Sequence, residues 1–343
     1  MTLYLFALTF YFIIVGIGIY AKNLRGLLIV ASIPLVGISL LKGMVGVDTA
    51  FYHQSIDLIR AQDSLIQRFE PLFEGIVLFF SRLIDSPTLV LGIIAGLTTL
   101  LLFIGGYGVE RQPYFLALGV IPYFYLDMTM NGIRYGLAFS MVLCAALFFI
   151  RGSKIIFYLL VIAAAFVQLT SILLAIMFIS FVDPRWRTLI FGTLGAVLVS
   201  FFFGEYISLK IEDNQTLISE SRLSGLAPFL LSGLILSAFW FDLSVRLVAR
   251  YQMMLLATSS ILFFIVAQFF YAGLRLQSLN LFLIYLVLAC ILSINKIQPG
   301  KRIIVTLFMI SLLSAGFRLR NFHNDAGIGD SPFIPYHFYW ESP

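Results

Sequence analysis

The sequence predicts an all-α, polytopic integral membrane protein, and three observations carry that expectation. Of its 343 residues, 61% are apolar and only 11% charged, where a soluble domain carries about 25% charged residues. Mean hydropathy is +1.01. Apolar runs recur from residue 3 to residue 316, broken by short polar stretches. Such a chain has more apolar surface than an aqueous core can absorb, so most of it must face lipid or other helices. A water-soluble enzyme is excluded.

The candidate spans, taken in order, are 3–20, 26–41, 88–106, 113–127, 133–150, 154–182, 187–204, 225–241, 251–270, 278–294 and 303–316. The first has no basic residue before it and is followed by Lys22 and Arg25. That is the reverse of a cleavable signal peptide, so it reads as a retained span with its N-terminus outside. The run 154–182 is too long for one crossing and carries Gln168, Thr170 and Ser171 at its middle, which divides it into two short helices. About twelve transmembrane helices result. The segment 71–84 is shorter and holds Glu74, Ser81 and Arg82, as expected of a short re-entrant or interfacial helix. If it does not cross, the inner loops collect most of the basic residues, as the positive-inside rule requires, and both termini lie outside.

Residues 1–343 read as a single membrane domain without internal repeats, the outer loops 43–70 and 204–224 and the C-terminal tail 317–343 lining the expected site. Cys144 and Cys290 sit far apart inside apolar runs, so neither a disulfide framework nor a Cys-rich metal site is expected. The basic residues are scattered, which argues against a nucleic-acid partner. Walker, GxSxG and HExxH motifs are absent. His53, His323 and His337 all fall on the outer side, leaving no inward-facing histidine for an acyltransferase.

Polar chemistry concentrates in the outer segments. Glu70 precedes Pro71, which can open a helix at its first position, and so places a carboxylate at a helix N-terminus. Asp48 is a second acid in the same loop. Either could serve as a general base, and either could be only a cap or a solvated acid. Residues Asp127, Asn131, Arg134 and Ala138 follow a 4, 3, 4 spacing that lines one helical face unless Gly132 breaks the helix. An arginine in a membrane segment must pair or bind an anion, and the alternatives for Arg134 are an ion pair with Asp127 or snorkelling. Gln268, Tyr271 and Arg275 repeat at helical spacing, followed by Gln277 and Asn280. Two guanidinium groups can hold a pyrophosphate in bidentate fashion. Around Arg222, and in the tail from Arg318 to Asp325 and from Phe333 to Trp340, polar donors mix with aromatics. Such faces suit sugars, with an interfacial aromatic belt as the alternative.

With Gly46, Asp48 and Tyr52, then Glu70-Pro71 and Phe73, then Asn131-Gly132-Ile133-Arg134 with Gly136 and Ala138, then Arg275 and Ile334-Pro335-Tyr336, the chain resembles the EpsG family of Wzy-type exopolysaccharide and O-antigen polymerases along nearly its whole length. Two departures stand out. Arg134-Tyr135 replaces the family's Arg-Gln, and Val167-Gln168-Leu169-Thr170 replaces its Phe-His-x-Ser. Gln168 can donate and accept a hydrogen bond but cannot hold a proton near neutral pH, so its expected role is binding.

The resemblance implies polymerisation of polyprenyl-pyrophosphate-linked oligosaccharide repeat units on the outer face of the bacterial inner membrane, by metal-independent glycosyl transfer without a cofactor. With it goes the expectation of Glu70 or Asp48 as the catalytic base that takes the sugar hydroxyl's proton, and of Arg134 and Arg275 on the pyrophosphate with Arg222 or Arg318 as helpers. Tyr52, Asn131, Gln168, Tyr336 and His337 would bind glycan. The implied partners are the lipid-linked oligosaccharide, membrane lipid, and a chain-length regulator or flippase. A ligase using a lipid-linked donor, a polysaccharide or lipid transporter and a non-catalytic assembly subunit are the competing readings.

Overall fold

The computed structural model describes residues 1–66, 68–108, 113–182, 225–269 and 271–341. Among them are thirteen helices and no strand. They are α1 (Thr2–Tyr20), α2 (Leu24–Leu40), α3 (Thr49–Gln62), α4 (Pro71–Ser81), α5 (Pro87–Gly108), α6 (113–130), α7 (Ile133–Ile150), α8 (Lys154–Val167), α9 (Thr170–Val182), α10 (Leu226–Trp240), α11 (Leu243–Phe269), α12 (Tyr271–Ile294) and α13 (Lys301–Asn324). Helices α1, α5, α7, α11, α12 and α13 are long and apolar enough to cross a membrane, and α2, α4, α8, α9 and α10 are shorter apolar helices. The chain is a multi-pass membrane protein. The expected span 187–204, the loop 204–224 and Arg222 lie outside the described residues.

Two compact units form: Met1–Ser171 with Ser311–Pro343, and Ile172–Ile310. In the first, α1 packs on α2, α5 on α2 and α7, and α7 on α8. The segment 113–130 is helical throughout but widens to a π-helix over Leu116–Tyr125, where every residue is buried and Pro122 has no N–H to give. Backbone carbonyls along this segment accept side-chain donors from neighbouring helices. Tyr11 Oη donates to Ala117 O (2.6 Å), Ser311 Oγ to Leu118 O and Arg318 Nε to Tyr123 O (3.1 Å). The Tyr125 hydroxyl lies 2.9 Å from both Ser39 Oγ and Thr99 Oγ1, linking α2, α5 and α6.

Helix α4 has 11 residues, about 16 Å at 1.5 Å per residue, too short to cross a hydrocarbon layer of about 30 Å. Helix α8 ends at Val167 and α9 starts at Thr170, so the run 154–182 breaks where its polar residues stand. Helix α6 stops at Met130 and α7 starts at Ile133. Asp127 and Arg134 therefore belong to different helices and share no stripe. Helix α13 continues to Asn324, eight residues beyond the expected span, so Arg318 stands on a helix.

In the second unit α10, α11 and α12 pack together, and α11 and α12 run antiparallel. Asn280 accepts from Ser259 Oγ and donates to Ser260 Oγ, each at 2.7 Å. Gln277 Nε2 donates to Ser260 O at 3.1 Å. These buried bonds join the two helices across their apolar faces. Gln268 lies on α11 and Arg275 on α12, so the expected stripe 268, 271, 275 is divided between two helices.

Gly136, in the first turn of α7, allows that helix to pass close to the end of α6. A Cβ there would stand 2.1 Å from the Met128 carbonyl oxygen, an overlap that only backbone movement can relieve. Gly136→Ala should therefore destabilise the detergent-solubilised protein by about 1–3 kcal/mol, read as a fall of several degrees in the thermal midpoint. An unchanged midpoint would show that α6 and α7 separate freely.

Candidate active site

The site is assembled around Lys42, just beyond the end of α2 and only 1% exposed. Its ammonium donates to the Met130 carbonyl (2.5 Å), Thr49 Oγ1 (3.2 Å) and Val45 O (3.4 Å). Burial pulls its pKa down from 10.5 to about 7, against the opposing pull of Asp48. Gly46, at φ +106°, turns the chain over the same carbonyl, and a Cβ there would lie 2.2 Å from Met130 O. Both backbone conformation and space thus demand glycine. Asn131 Oδ1 accepts the Asp48 N–H at 3.0 Å, while the Asp48 side chain is exposed at the start of α3.

The C-terminal segment clasps this turn. Gly43 N donates to His337 O (2.8 Å) and Tyr339 N to Leu41 O (3.0 Å). Tyr336 Oη donates to Ile38 O (2.8 Å), and Ser331 Oγ donates to Gly46 O (2.7 Å) while accepting from Ala50 N (3.0 Å). The His337 ring is 49% exposed, 4.0 Å from Glu341.

Glu70 is the N-cap of α4, yet its side chain does no capping. Glu74 holds the incoming chain instead, with Oε1 accepting from Arg68 N (2.6 Å) and Phe69 N (2.8 Å). Glu70 is left to turn inward, where its side chain is 2% exposed. Its Oε2 accepts from Arg134 at 2.8 Å, and its Oε1 accepts from Leu169 N at 3.2 Å. That N–H is available because the chain leaves helical conformation between α8 and α9.

The Arg134 guanidinium lies 4.5 Å over the Phe69 ring and hydrogen-bonds the Tyr52 hydroxyl. Tyr52, Phe69 and Phe73 pack edge to face and tilted within 5.4–6.1 Å. Burial, partly offset by Arg134, raises the Tyr52 pKa, so the phenol stays protonated. At the break beside Glu70, the buried Gln168 Oε1 and Ser171 Oγ have no hydrogen-bond partner among the described residues.

Asp127 pairs with Arg318 (3.2 Å), not with Arg134. It also accepts from Tyr135 Oη and from Asn131 Nδ2 at 3.4 Å. Arg318 stacks 4.8 Å over Tyr123. Adjacent residues on α7, Arg134 and Tyr135, thus enter two separate polar clusters.

Of the residues singled out by sequence, Glu70, Arg134, Tyr52 and the 168–169 break come together, and Asp48 meets Asn131 through its backbone. Arg318 joins Asp127, and Tyr336 and His337 border the Lys42 turn. Arg275 is an exposed residue of α12 in the second unit. Lys42, Glu74 and Tyr135 were not anticipated. Lys42 carried a signal, being a basic residue in a loop that the sequence reading assigns to the outer side, where the charge rule expects few. Among the described residues no three His, Cys, Asp or Glu side chains gather closely enough to hold a metal ion.

This arrangement sets a buried carboxylate one hydrogen bond from a stacked guanidinium, with hydroxyl and amide groups beside them. It can accept a proton at one end and hold a bidentate anion at the other. The model of the EpsG family matches residues 25–338. No curated protein and no solved structure matches the chain.

The Lys42 geometry generates a pH prediction. Between about pH 7 and 10.5 the unfolded lysine binds a proton that the folded one gives up, so this residue's contribution to stability rises with pH across that window. The thermal midpoint of wild type should rise relative to that of Lys42→Met from pH 7 to pH 10; a constant difference would overturn the assignment. Gly46→Ala should cost about 1–3 kcal/mol through its positive φ and the Met130 contact, measured by the same unfolding transition.

Proposed function

The chain belongs to the EpsG family, which is linked to exopolysaccharide biosynthesis, and from that membership we propose that it polymerises polyprenyl-pyrophosphate-linked oligosaccharide repeat units. The reaction takes place at the outer face of the bacterial cytoplasmic membrane, with about twelve spans and both termini outside. The observation that carries this reading is the Glu70–Arg134 pair at 2.8 Å, buried beside a hydrogen-bonding break.

In the proposed reaction, Glu70 takes the proton of an acceptor sugar hydroxyl as the oxygen forms a bond to the donor's anomeric carbon. The bond from that carbon to the pyrophosphate oxygen breaks, and the electron pair leaves with polyprenyl pyrophosphate. Arg134 binds the charge that develops there. Arrival of the pyrophosphate draws Arg134 toward it and frees Glu70 Oε2 for the hydroxyl, while the Leu169 N–H keeps the carboxylate in place. Stacking on Phe69 and the Tyr52 bond hold the guanidinium plane. Gln168 Oε1, lacking a partner among the described residues, takes a sugar hydroxyl, and Tyr336 and His337 border the glycan. Asp48 is the weaker candidate for the base, since its carboxylate is exposed.

The test is a product ladder formed by the purified protein from its host's lipid-linked repeat units. Glu70→Gln should lower the rate by at least about 100-fold, and Asp48→Asn by less than about tenfold. The reverse order would transfer the base to Asp48. Arg134→Lys should collapse the ladder, because an ammonium cannot reproduce planar bidentate contact; an unchanged length distribution would remove that role. A single-addition product with wild type would favour the ligase. Gln168 in place of the family's histidine favours a second reading, a non-catalytic subunit, which wild-type ladder formation would exclude.

A further inference from the structure

We infer that a cavity lying on the Asp127 side of the α6–α7 break is a subsite for one uncharged sugar ring of the glycan, distinct from the pyrophosphate end of the reaction. This rests on the reading above only in taking glycan as the substrate. The cavity measures about 170 Å³, the space of five to six waters at about 30 Å³ each, which is room for one sugar ring.

Charge decides against an anion there. Arg318, the cation in its wall, is already matched by Asp127 at 3.2 Å, and Asp325 adds a second carboxylate. A phosphate approaching Arg318 would meet two acids, and like charges at such range repel strongly in a partly dehydrated cleft. Uncharged hydroxyls face no such barrier. The amides of Asn321 and Asn324 also line the cavity, and each offers donors and an acceptor together, as a polyol requires, while Asn131 beside them is engaged with the Asp48 N–H and with Asp127.

The remaining wall is apolar. Phe322 and Phe333 close the cavity floor, stacked on each other at 3.9 Å and 13° and only 1% and 3% exposed, so they form a rigid apolar base beneath the ligand without offering it an open ring face. The cavity is joined to the ion pair through the backbone. Asn131 holds the Asp48 N–H, and Tyr135, which donates to Asp127, directly follows Arg134. A sugar seated here is thus positioned by the same break that carries Arg134 toward Glu70.

The experiment is calorimetric titration of nanodisc-embedded protein with the host's repeat-unit oligosaccharide, released from its lipid by mild acid. Asn321 and Asn324 are exposed, so their substitution leaves the fold intact, as thermal midpoints will verify. Asn324→Ala should weaken binding about three- to tenfold, the loss of one neutral hydrogen bond. Asn321→Trp, which fills the cavity, should abolish binding. Inorganic pyrophosphate should not displace the oligosaccharide, and Glu70→Gln should bind it normally while forming no polymer. Unchanged binding in Asn321→Trp, or displacement by pyrophosphate, would overturn the subsite. Polymerisation by Glu70→Gln, with binding still lost in Asn321→Trp, would instead sink the catalytic reading and leave the subsite standing.

Discussion

A buried ammonium on a backbone carbonyl organises the described part of the site. Lys42 reaches Met130 O from the end of α2, and that carbonyl is available because α6 stops there. A charge 1% exposed is tolerated only when its donors are used. Their use draws together the end of α2, the turn 43–48, the start of α3 and the α6–α7 break. Gly46 permits the close approach, Asn131 ties down Asp48, and the C-terminal segment closes over the outside through His337 and Tyr339. Without this convergence the loop holding Asp48 and the turn preceding Arg134 would have no common anchor.

The remaining charges follow the same rule. Arg134 has Glu70 and Arg318 has Asp127, and each guanidinium also rests on an aromatic ring. Burying ions costs several kcal/mol per ion unless partner and hydrogen bonds are in place, so such pairs are weak evidence of stability and better evidence of use. The two pairs differ in surroundings. Glu70 faces the break between α8 and α9, with amide and hydroxyl atoms beside it that have no hydrogen-bond partner among the described residues. Asp127 faces a small cavity with asparagines and aromatics. One setting suits proton transfer next to a bound anion, and the other suits a neutral polyol.

The division of labour between Glu70 and Glu74 explains how a helix-capping position becomes chemically available. Pro71 starts the helix without an N–H to satisfy. Glu74 takes the N–H groups of Arg68 and Phe69 and so fixes the incoming chain, while the Glu70 carboxylate turns away from its own helix end to Arg134 and the Leu169 N–H. A proline after an acid was visible in the sequence; the second acid four residues later, which fixes the chain entering the helix, was read only as a sign that the segment does not cross.

Local pattern determined a good deal. Hydropathy identified a multi-pass helical membrane protein, because desolvating backbone in lipid leaves helices as the economical answer. The polar interruption at 168–171 marked the break between α8 and α9, and the length of 71–84 marked α4 as too short to cross. Gly46, Glu70, Asn131 and Arg134 stood out in the sequence as motif residues. Their pairing did not. Helical spacing offered Arg134 the nearby Asp127, yet its partner is Glu70, 64 residues away, because a two-residue break redirects α7 and only three-dimensional packing determines which acid a redirected guanidinium meets. Lys42 was likewise hidden: a lysine after an apolar run looks the same whether it faces water or a carbonyl, and which it faces is decided by where α6 ends.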